Sequence, residues 1–219
     1  MIRLVVLDFD STLMDGETID FLAAAKGGVE EQVSAITERA MQGELDFFES
    51  LIERVALLEG MDASAADKVF NNLPYMPGAY DFIQALKEMD MKVICFSGGF
   101  RPATSKACDD LELDADFANQ LHVRNGKLTG LVGGDMMQSN SKGDMLLRLQ
   151  NLLGIHTSET MAVGDGANDL SMFAYADTRV AFCAKEALKQ DATHIVDEKN
   201  LMAILDEVFD EEEAGMYDE

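Results

Sequence analysis

Basic residues are scarce in this sequence: 17 lysines and arginines stand against 41 aspartates and glutamates, a formal charge of −24 over 219 residues. A field of that sign repels nucleic acid and anionic membrane surfaces unless a basic patch overrides it, and no such patch is visible. It also disfavours anionic small molecules, so an anionic substrate needs a cation or a local cluster of donors to hold it. Cysteines are few as well. Cys95, Cys108 and Cys183 are scattered and lack C-x-x-C spacing, which suggests neither a complete disulfide framework nor a zinc site. They read as reduced thiols of a cytoplasmic protein. Long apolar runs are missing too: nothing approaches the ~20 residues of a membrane span. The apolar stretch before Asp8 is also too short for a signal h-region. The expectation is a soluble, cytoplasmic protein with no nucleic-acid or membrane partner.

What is present is enough apolar material, 47% of residues, for one good-sized core or a core carrying a smaller inserted unit. Residues 2–8 read as a strand that is apolar on both faces, as a central parallel strand covered by helices should be. The pattern returns at "KVICFS" (92–97), "TMAVGD" (160–165), "TRVAFC" (178–183) and "THIV" (193–196). Helical patterns lie between them, over Ala79–Met89, Lys142–Leu153 and Leu170–Ala176. That alternation predicts a doubly wound α/β core with a parallel sheet flanked by helices. Residues 17–72 break it, with three or four amphipathic helix patterns in succession, including "ELDFFESLIERVALL", and no strand. The spacing predicts a helical cap over 15–74, inserted after the first strand. The core takes 1–14 and 75–209, and Pro74, Pro77 and Gly78 punctuate the return. In "QLHVRNGKLTGLVGG", Asn125-Gly126 between alternating runs predicts a β-hairpin. The acidic run 210–219 reads as a solvated, mobile end.

The apolar run Val5–Leu7 leads straight into Asp8 and Asp10, where desolvating two carboxylates is costly. In open parallel sheets ligands sit beyond the carboxyl ends of the strands, and those ends here carry Asp8 and Asp10, then Ser97, then Asp165. A hard divalent cation such as Mg²⁺ would offset the repulsion among these carboxylates. The glycines of "FSGGFR" allow backbone N–H groups to approach an anion in a loop after the second strand. Each feature alone has an ordinary reading. A lone D-x-D is a common strand-end turn, "GDGAND" a common Gly/Asp turn, Ser97 a cap, and Lys142 a solvated lysine at the start of a helix.

Taken together, "DFDST", "SGG", Lys142 and "GDGANDLSM" (164–172) resemble the haloacid dehalogenase superfamily of phosphotransferases, whose motifs occur in this order. The segments "DFDSTLMDGETIDF" and "AMQGELDFFESLIERVALL" are similar to those of the phosphoserine phosphatases, and the likeness spans roughly residues 2–205. The resemblance implies a Rossmann-like core with a helical cap, and hydrolysis of O-phospho-L-serine as the last step of serine biosynthesis. It implies Asp8 as nucleophile forming an aspartyl phosphate and Asp10 as acid and base. Mg²⁺ would be held by Asp8, the Asp10 carbonyl and Asp165, with Asp169 behind them. Ser97, Gly98, Gly99, Lys142 and Asn168 would hold the phosphoryl group. Glu17 would take the substrate ammonium and Arg54 its carboxylate, for which a planar guanidinium fork is suited. Met41 and Phe47 would help close the pocket, although both fit cap core equally well.

Other readings share parts of this pattern. A signalling receiver also sets an acceptor Asp, a Ser/Thr and a Lys on a parallel sheet, but its acceptor ends a later strand and it has no use for a cap. A phosphotransferase carrying phosphate from phosphoserine to homoserine would share the intermediate and the amino-acid pocket. A phosphatase for phosphoethanolamine would leave Arg54 unpaired. A non-catalytic module keeping the fold would have no need of the full residue set.

Overall fold

Leu4–Asp8 forms strand β1, five consecutive buried residues at the centre of a seven-stranded sheet. The computed structural model describes residues 1–41 and 44–214. Around β1 stand β2 (Lys92–Phe100), β3 (Ala115–Arg124), β4 (Lys127–Gly134), β5 (Thr160–Gly164), β6 (Thr178–Phe182) and β7 (His194–Val196), in the order β4-β3-β2-β1-β5-β6-β7. Every pairing is parallel except β3 with β4. Because side chains alternate across a strand, Val5 and Leu7 enter one apolar cluster with Val93, Cys95 and Val163, while Leu4 and Val6 enter another with Ile94, Phe96 and Ala162. Full burial of each such side chain is worth about 1.5–3 kcal/mol, and this fixes the strand with its polar end, Asp8, at the sheet's carboxyl edge.

Helices cover both faces. On the first pack α5 (Ala79–Glu88), α6 (Arg101–Leu111) and α10 (Ala203–Ala214); on the second, α7 (Ser141–Leu153) and the short α8 (Leu170–Phe173) and α9 (Glu186–Lys189). Among the described residues four helices stand between β1 and α5: α1 (Thr18–Lys26), α2 (Glu30–Met41), α3 (Phe47–Ala56) and α4 (Ala63–Phe70). Their apolar faces join the first cluster rather than forming a separate core, and Phe70 of α4 meets Phe100 of β2 with ring centroids 6.5 Å apart. The two connections to this cap are tied to each other, Asp15 N–H donating to Pro74 O and Met76 N–H to Leu13 O, both at 2.9 Å.

Several boundaries differ from the sequence expectation. The glycines of "SGGF" stay within β2, which bulges between Phe96 and Phe100, so no separate loop follows the strand. The hairpin forms at Asn125-Gly126, where both residues adopt positive φ (54° and 73°), but its first arm begins at Ala115 and belongs to the main sheet. The helix expected over Leu170–Ala176 ends at Phe173 and is preceded by a 3₁₀ turn, Ala167–Asp169. In the acidic end α10 continues to Ala214, since glutamate and alanine are strong helix formers. Residues 215–219 lie outside the described residues.

Candidate active site

Asp8 is buried at the end of β1. Its Oδ1 accepts the Phe9 N–H at 2.6 Å and pairs with Lys142 Nζ at 2.6 Å; among the described residues Oδ2 takes no hydrogen bond. Lys142, in the first turn of α7, is equally buried, and its Nζ also meets Asp169 Oδ1 at 2.6 Å. The other oxygen of Asp169 accepts the N–H groups of Asp165 (3.0 Å) and Gly166 (3.1 Å). Thus a single chain of contacts ties the end of β1 to the start of α7 and the turn after β5.

The electrostatics of this cluster are unbalanced. Burial pushes the Asp8 carboxyl well above the usual carboxylate range, and the Asp169 charge adds to that while Lys142 opposes it. Asp165 is raised to about 7 by burial and by Asp169. Burial draws the Lys142 ammonium down, but Asp169 and Asp8 outweigh it and hold the lysine charged. Lys142, with Lys185 acting on Asp165 from the cleft wall, does not neutralise this set. Asp8, Asp165 and Asp169 each offer an oxygen within 4.8 Å of the others, and a set of hard oxygen donors short of positive charge fits a divalent cation. Both Asp169 oxygens are already engaged, so it is better placed to orient the others than to bind first.

Asp10 is held by the cap. Its Oδ1 accepts both the backbone N–H (2.7 Å) and the hydroxyl (2.5 Å) of Thr18, the first residue of α1, and its Oδ2 faces the Ser97 hydroxyl at 3.4 Å. Burial raises its carboxyl and the Thr18 bonds pull it back. Ser97 Oγ also accepts the Gly99 N–H at 2.9 Å. Glu17 accepts the Ser11 hydroxyl at 2.7 Å and is raised to about 7, by burial and by the nearby Asp10.

Above these groups opens a cleft of about 790 Å³. It brings together Asp8, Asp10 and Asp165 from the sheet edge, Gly98, Gly99 and Asn168 beside them, and Glu17, Phe47 and Arg54 from the cap. Ser97, Lys142 and Asp169 are buried outside its lining. Arg54 donates through Nε to Ser50 O of its own helix at 3.2 Å; burial lowers its pKa, and Glu17, Asp20 and Asp10 oppose that. The Phe47 ring lies so close over Gly98 that a Cβ there would overlap it, which explains a glycine at that point. The Met41 side chain lies outside the described residues.

Sequence reasoning missed two residues of this site. Thr18 looks like an ordinary helix-start threonine, and its contact with Asp10 depends on how α1 docks. Lys185 lines the cleft and donates its backbone N–H to Asp165 O at 2.9 Å. The strand-end rule that picked out Asp165 would have found it had the end of "TRVAFC" been followed as closely.

A family model described as haloacid dehalogenase-like hydrolase matches residues 2–177. The chain belongs to the haloacid dehalogenase-like hydrolases. This hydrolase is 59% identical over 203 residues to a phosphoserine phosphatase of Wolinella succinogenes, covering 93% of this chain and 98% of that one. It is 43% identical to that of Methanocaldococcus jannaschii over 93% and 96% of the two chains. Among solved structures, a substrate-bound phosphoserine phosphatase complex superposes with a TM-score of 0.89 at 42% identity, covering 94% of this chain and 97% of that one. A phospho-aspartyl intermediate analogue of phosphoserine phosphatase gives 0.88 at 43% identity over 93% and 97%.

Proposed function

We propose that this chain hydrolyses O-phospho-L-serine to L-serine and inorganic phosphate through a phosphorylated Asp8. The observation that carries the reading is the divided Asp8 carboxylate. Oδ1 is fixed by Lys142 and the Phe9 N–H, and Oδ2 is left for attack beneath a cap that contributes Glu17 and Arg54. The names borne by its relatives point to the same substrate.

In the first half-reaction Oδ2 of Asp8 forms a bond to phosphorus as the bond to the seryl oxygen breaks, and Asp10 gives that oxygen its proton. The raised Asp10 pKa favours the protonated form this step needs. In the second, Asp10 takes a proton from water, whose oxygen attacks phosphorus and displaces Asp8, releasing phosphate and restoring both carboxyls. The Ser97 hydroxyl, the Gly98 backbone, Lys142 and Asn168 hold the phosphoryl oxygens as charge shifts among them, while Gly99 gives its N–H to Ser97 Oγ. Asp8, Asp165 and the Asp10 carbonyl would hold Mg²⁺, which supplies positive charge against the phosphate, with Asp169 orienting the set. Glu17 receives the substrate ammonium and Arg54 its carboxylate, while Phe47, closing over Gly98, keeps bulk water out. The three unpaired thiols suit a reducing, cytoplasmic setting.

The test is phosphate release from O-phospho-L-serine, O-phosphothreonine, phosphoethanolamine and glycerol phosphate, with Mg²⁺ and with EDTA, plus a phosphoserine reaction containing homoserine. Mg²⁺-dependent preference for phosphoserine, unaffected by homoserine, is expected. Arg54→Ala should raise KM for phosphoserine about tenfold or more and leave phosphoethanolamine unchanged. Phosphohomoserine in place of free phosphate would replace hydrolysis by transfer, and no turnover of any substrate would end the enzymatic reading.

A further inference from the structure

Asn119 is fully buried in β3, away from the cleft, yet its carboxamide is completely used. Nδ2 donates to Gly98 O at 3.0 Å and to Met136 O at 3.1 Å, and Oδ1 accepts the Met136 N–H at 3.0 Å. The first of these bonds repairs a break in the sheet. Between Phe96, paired with Phe117, and Phe100, paired with Asn119, β2 passes three residues where β3 passes only Ala118. Residues 97–99 therefore have no paired residue of their own in β3, and the carbonyl of half-buried Gly98 needs a donor from elsewhere. Asn119 supplies that donor.

The bond sets more than one carbonyl. Gly98 C=O and Gly99 N–H belong to one trans peptide and point in opposite directions. Fixing the carbonyl on Asn119 aims the N–H at Ser97 Oγ, which accepts it at 2.9 Å. With that lone pair occupied, the Ser97 hydroxyl is left to donate into the site, where Asp10 Oδ2 now stands at 3.4 Å. The two bonds to Met136 tie the same carboxamide to the segment that leads, six residues on, into Lys142. Gly134, opposite Asn119 in the β3–β4 pairing with φ of +154°, makes room for it, since a Cβ there would come within 2.8 Å of Asn119 Cα and Oδ1.

We propose that Asn119 is a positioning residue for phosphoryl transfer, which orients the Ser97 hydroxyl through the Gly98–Gly99 peptide. This rests on the reading of the cleft as a phosphoryl-transfer centre. The role differs from general core packing because it acts through one hydroxyl, so its loss should not add to loss of that hydroxyl.

The experiment uses Asn119→Asp, which keeps the acceptor and removes the donor, and Gly134→Ala, whose Cβ would press on both Asn119 Cα and Oδ1 and so shift the carboxamide without changing the residue. Each is made alone and with Ser97→Ala, and thermal unfolding shows which variants fold. With phosphoserine, kcat should fall about tenfold or more in either single variant, with KM little changed, because the cap contacts to the amino-acid end are untouched. In the Ser97→Ala background the further loss should be under about twofold. Amide hydrogen exchange at Gly99 should quicken in both single variants while the β1 and β5 amides keep their protection. Equal losses in both backgrounds, or unchanged Gly99 exchange in a folded variant, would overturn the proposal. If Asn119→Asp does not fold, Gly134→Ala carries the comparison. If the unmodified chain releases no phosphate from phosphoserine, the function reading fails, whereas the Gly99 exchange still decides the role of Asn119.

Discussion

Asp8, on the floor of the cleft, is gripped by a lysine that is itself gripped by Asp169, which in turn holds two backbone N–H groups; Arg54, in the roof, has one bond to a carbonyl of its own helix. The floor is a closed network of buried charge at the sheet edge, and its carboxyls are driven up by burial and by one another's charge. Roof residues ride on the cap and are held by lighter contacts, Arg54 to Ser50 O and Glu17 to the Ser11 hydroxyl. That division suits an enzyme in which one surface performs a fixed reaction and the other selects what undergoes it, since preorganised charge accelerates chemistry whereas selection needs groups free to pair with substrate.

The largest effect expected from breaking the floor is at Asp8, the proposed nucleophile. Asp8→Asn should lower phosphate release by more than about 10⁴-fold, as removal of an attacking group does. It should fold normally and, in EDTA, melt no lower than the parent, because it removes a desolvated carboxyl that neighbouring charges already destabilise. Parent-like activity in a folded Asp8→Asn protein would remove Asp8 from the role proposed for it.

Next comes the cation that holds the floor together. Lys142 and Asp169 are 4% and 0% exposed in their side chains. Lys142→Met would leave Asp8 and Asp169 facing each other without a counter-charge, a loss of about 3–5 kcal/mol for breaking a buried pair. Urea unfolding in EDTA should show that loss, and saturating Mg²⁺ should restore part of it by binding the folded state alone. Equal stability with and without Mg²⁺ would argue against a cation site among these carboxylates.

The contrast also explains what the sequence allowed to be read. Asp8, Ser97 and Asp165 follow apolar runs that can only be central strands, and the strand-end rule then places them together before any coordinates are known. Asn168 and Lys142 came from motif order. Thr18 and Asn119 carry no such mark, because each acts through a contact fixed by docking: α1 against the sheet edge, and a carboxamide against a bulge. The bulge itself was hidden, since two adjacent glycines look like a loop whether or not the strand continues through them. Likewise nothing in "EGMDAS" announces that Gly60, Met61 and Ala63 exchange backbone hydrogen bonds of 2.8–2.9 Å with Leu128 and Gly126 of the hairpin.

Where roof meets floor the effect should be intermediate. Gly98→Ala drives a methyl group into the Phe47 ring, an overpacking of ~1–3 kcal/mol that the cap can relieve by lifting. KM for phosphoserine should rise about tenfold, and Phe47→Ala in the same chain should recover most of it by giving the methyl room. A Gly98→Ala defect that persists in the double variant would place the damage in the phosphate-holding backbone rather than in closure of the roof.

The smallest effect is expected at the far end of the cap, where the hairpin fastens it. Lys127 and Asp62 form an ion pair there at 3.4 Å, but their side chains are 58% and 66% exposed, so solvent and salt screen the attraction. The backbone bonds of Gly60, Met61 and Ala63 to the hairpin do not depend on that pair. Lys127→Ala should therefore change urea-measured stability by less than about 0.5 kcal/mol and leave kcat and KM for phosphoserine unchanged. A larger loss that vanishes in high salt would mean that the charge pair, and not the backbone pairing, holds the cap to the sheet. The cap would then be a body that ionic conditions can loosen, and the fixed-floor, adaptable-roof contrast would extend to its whole attachment.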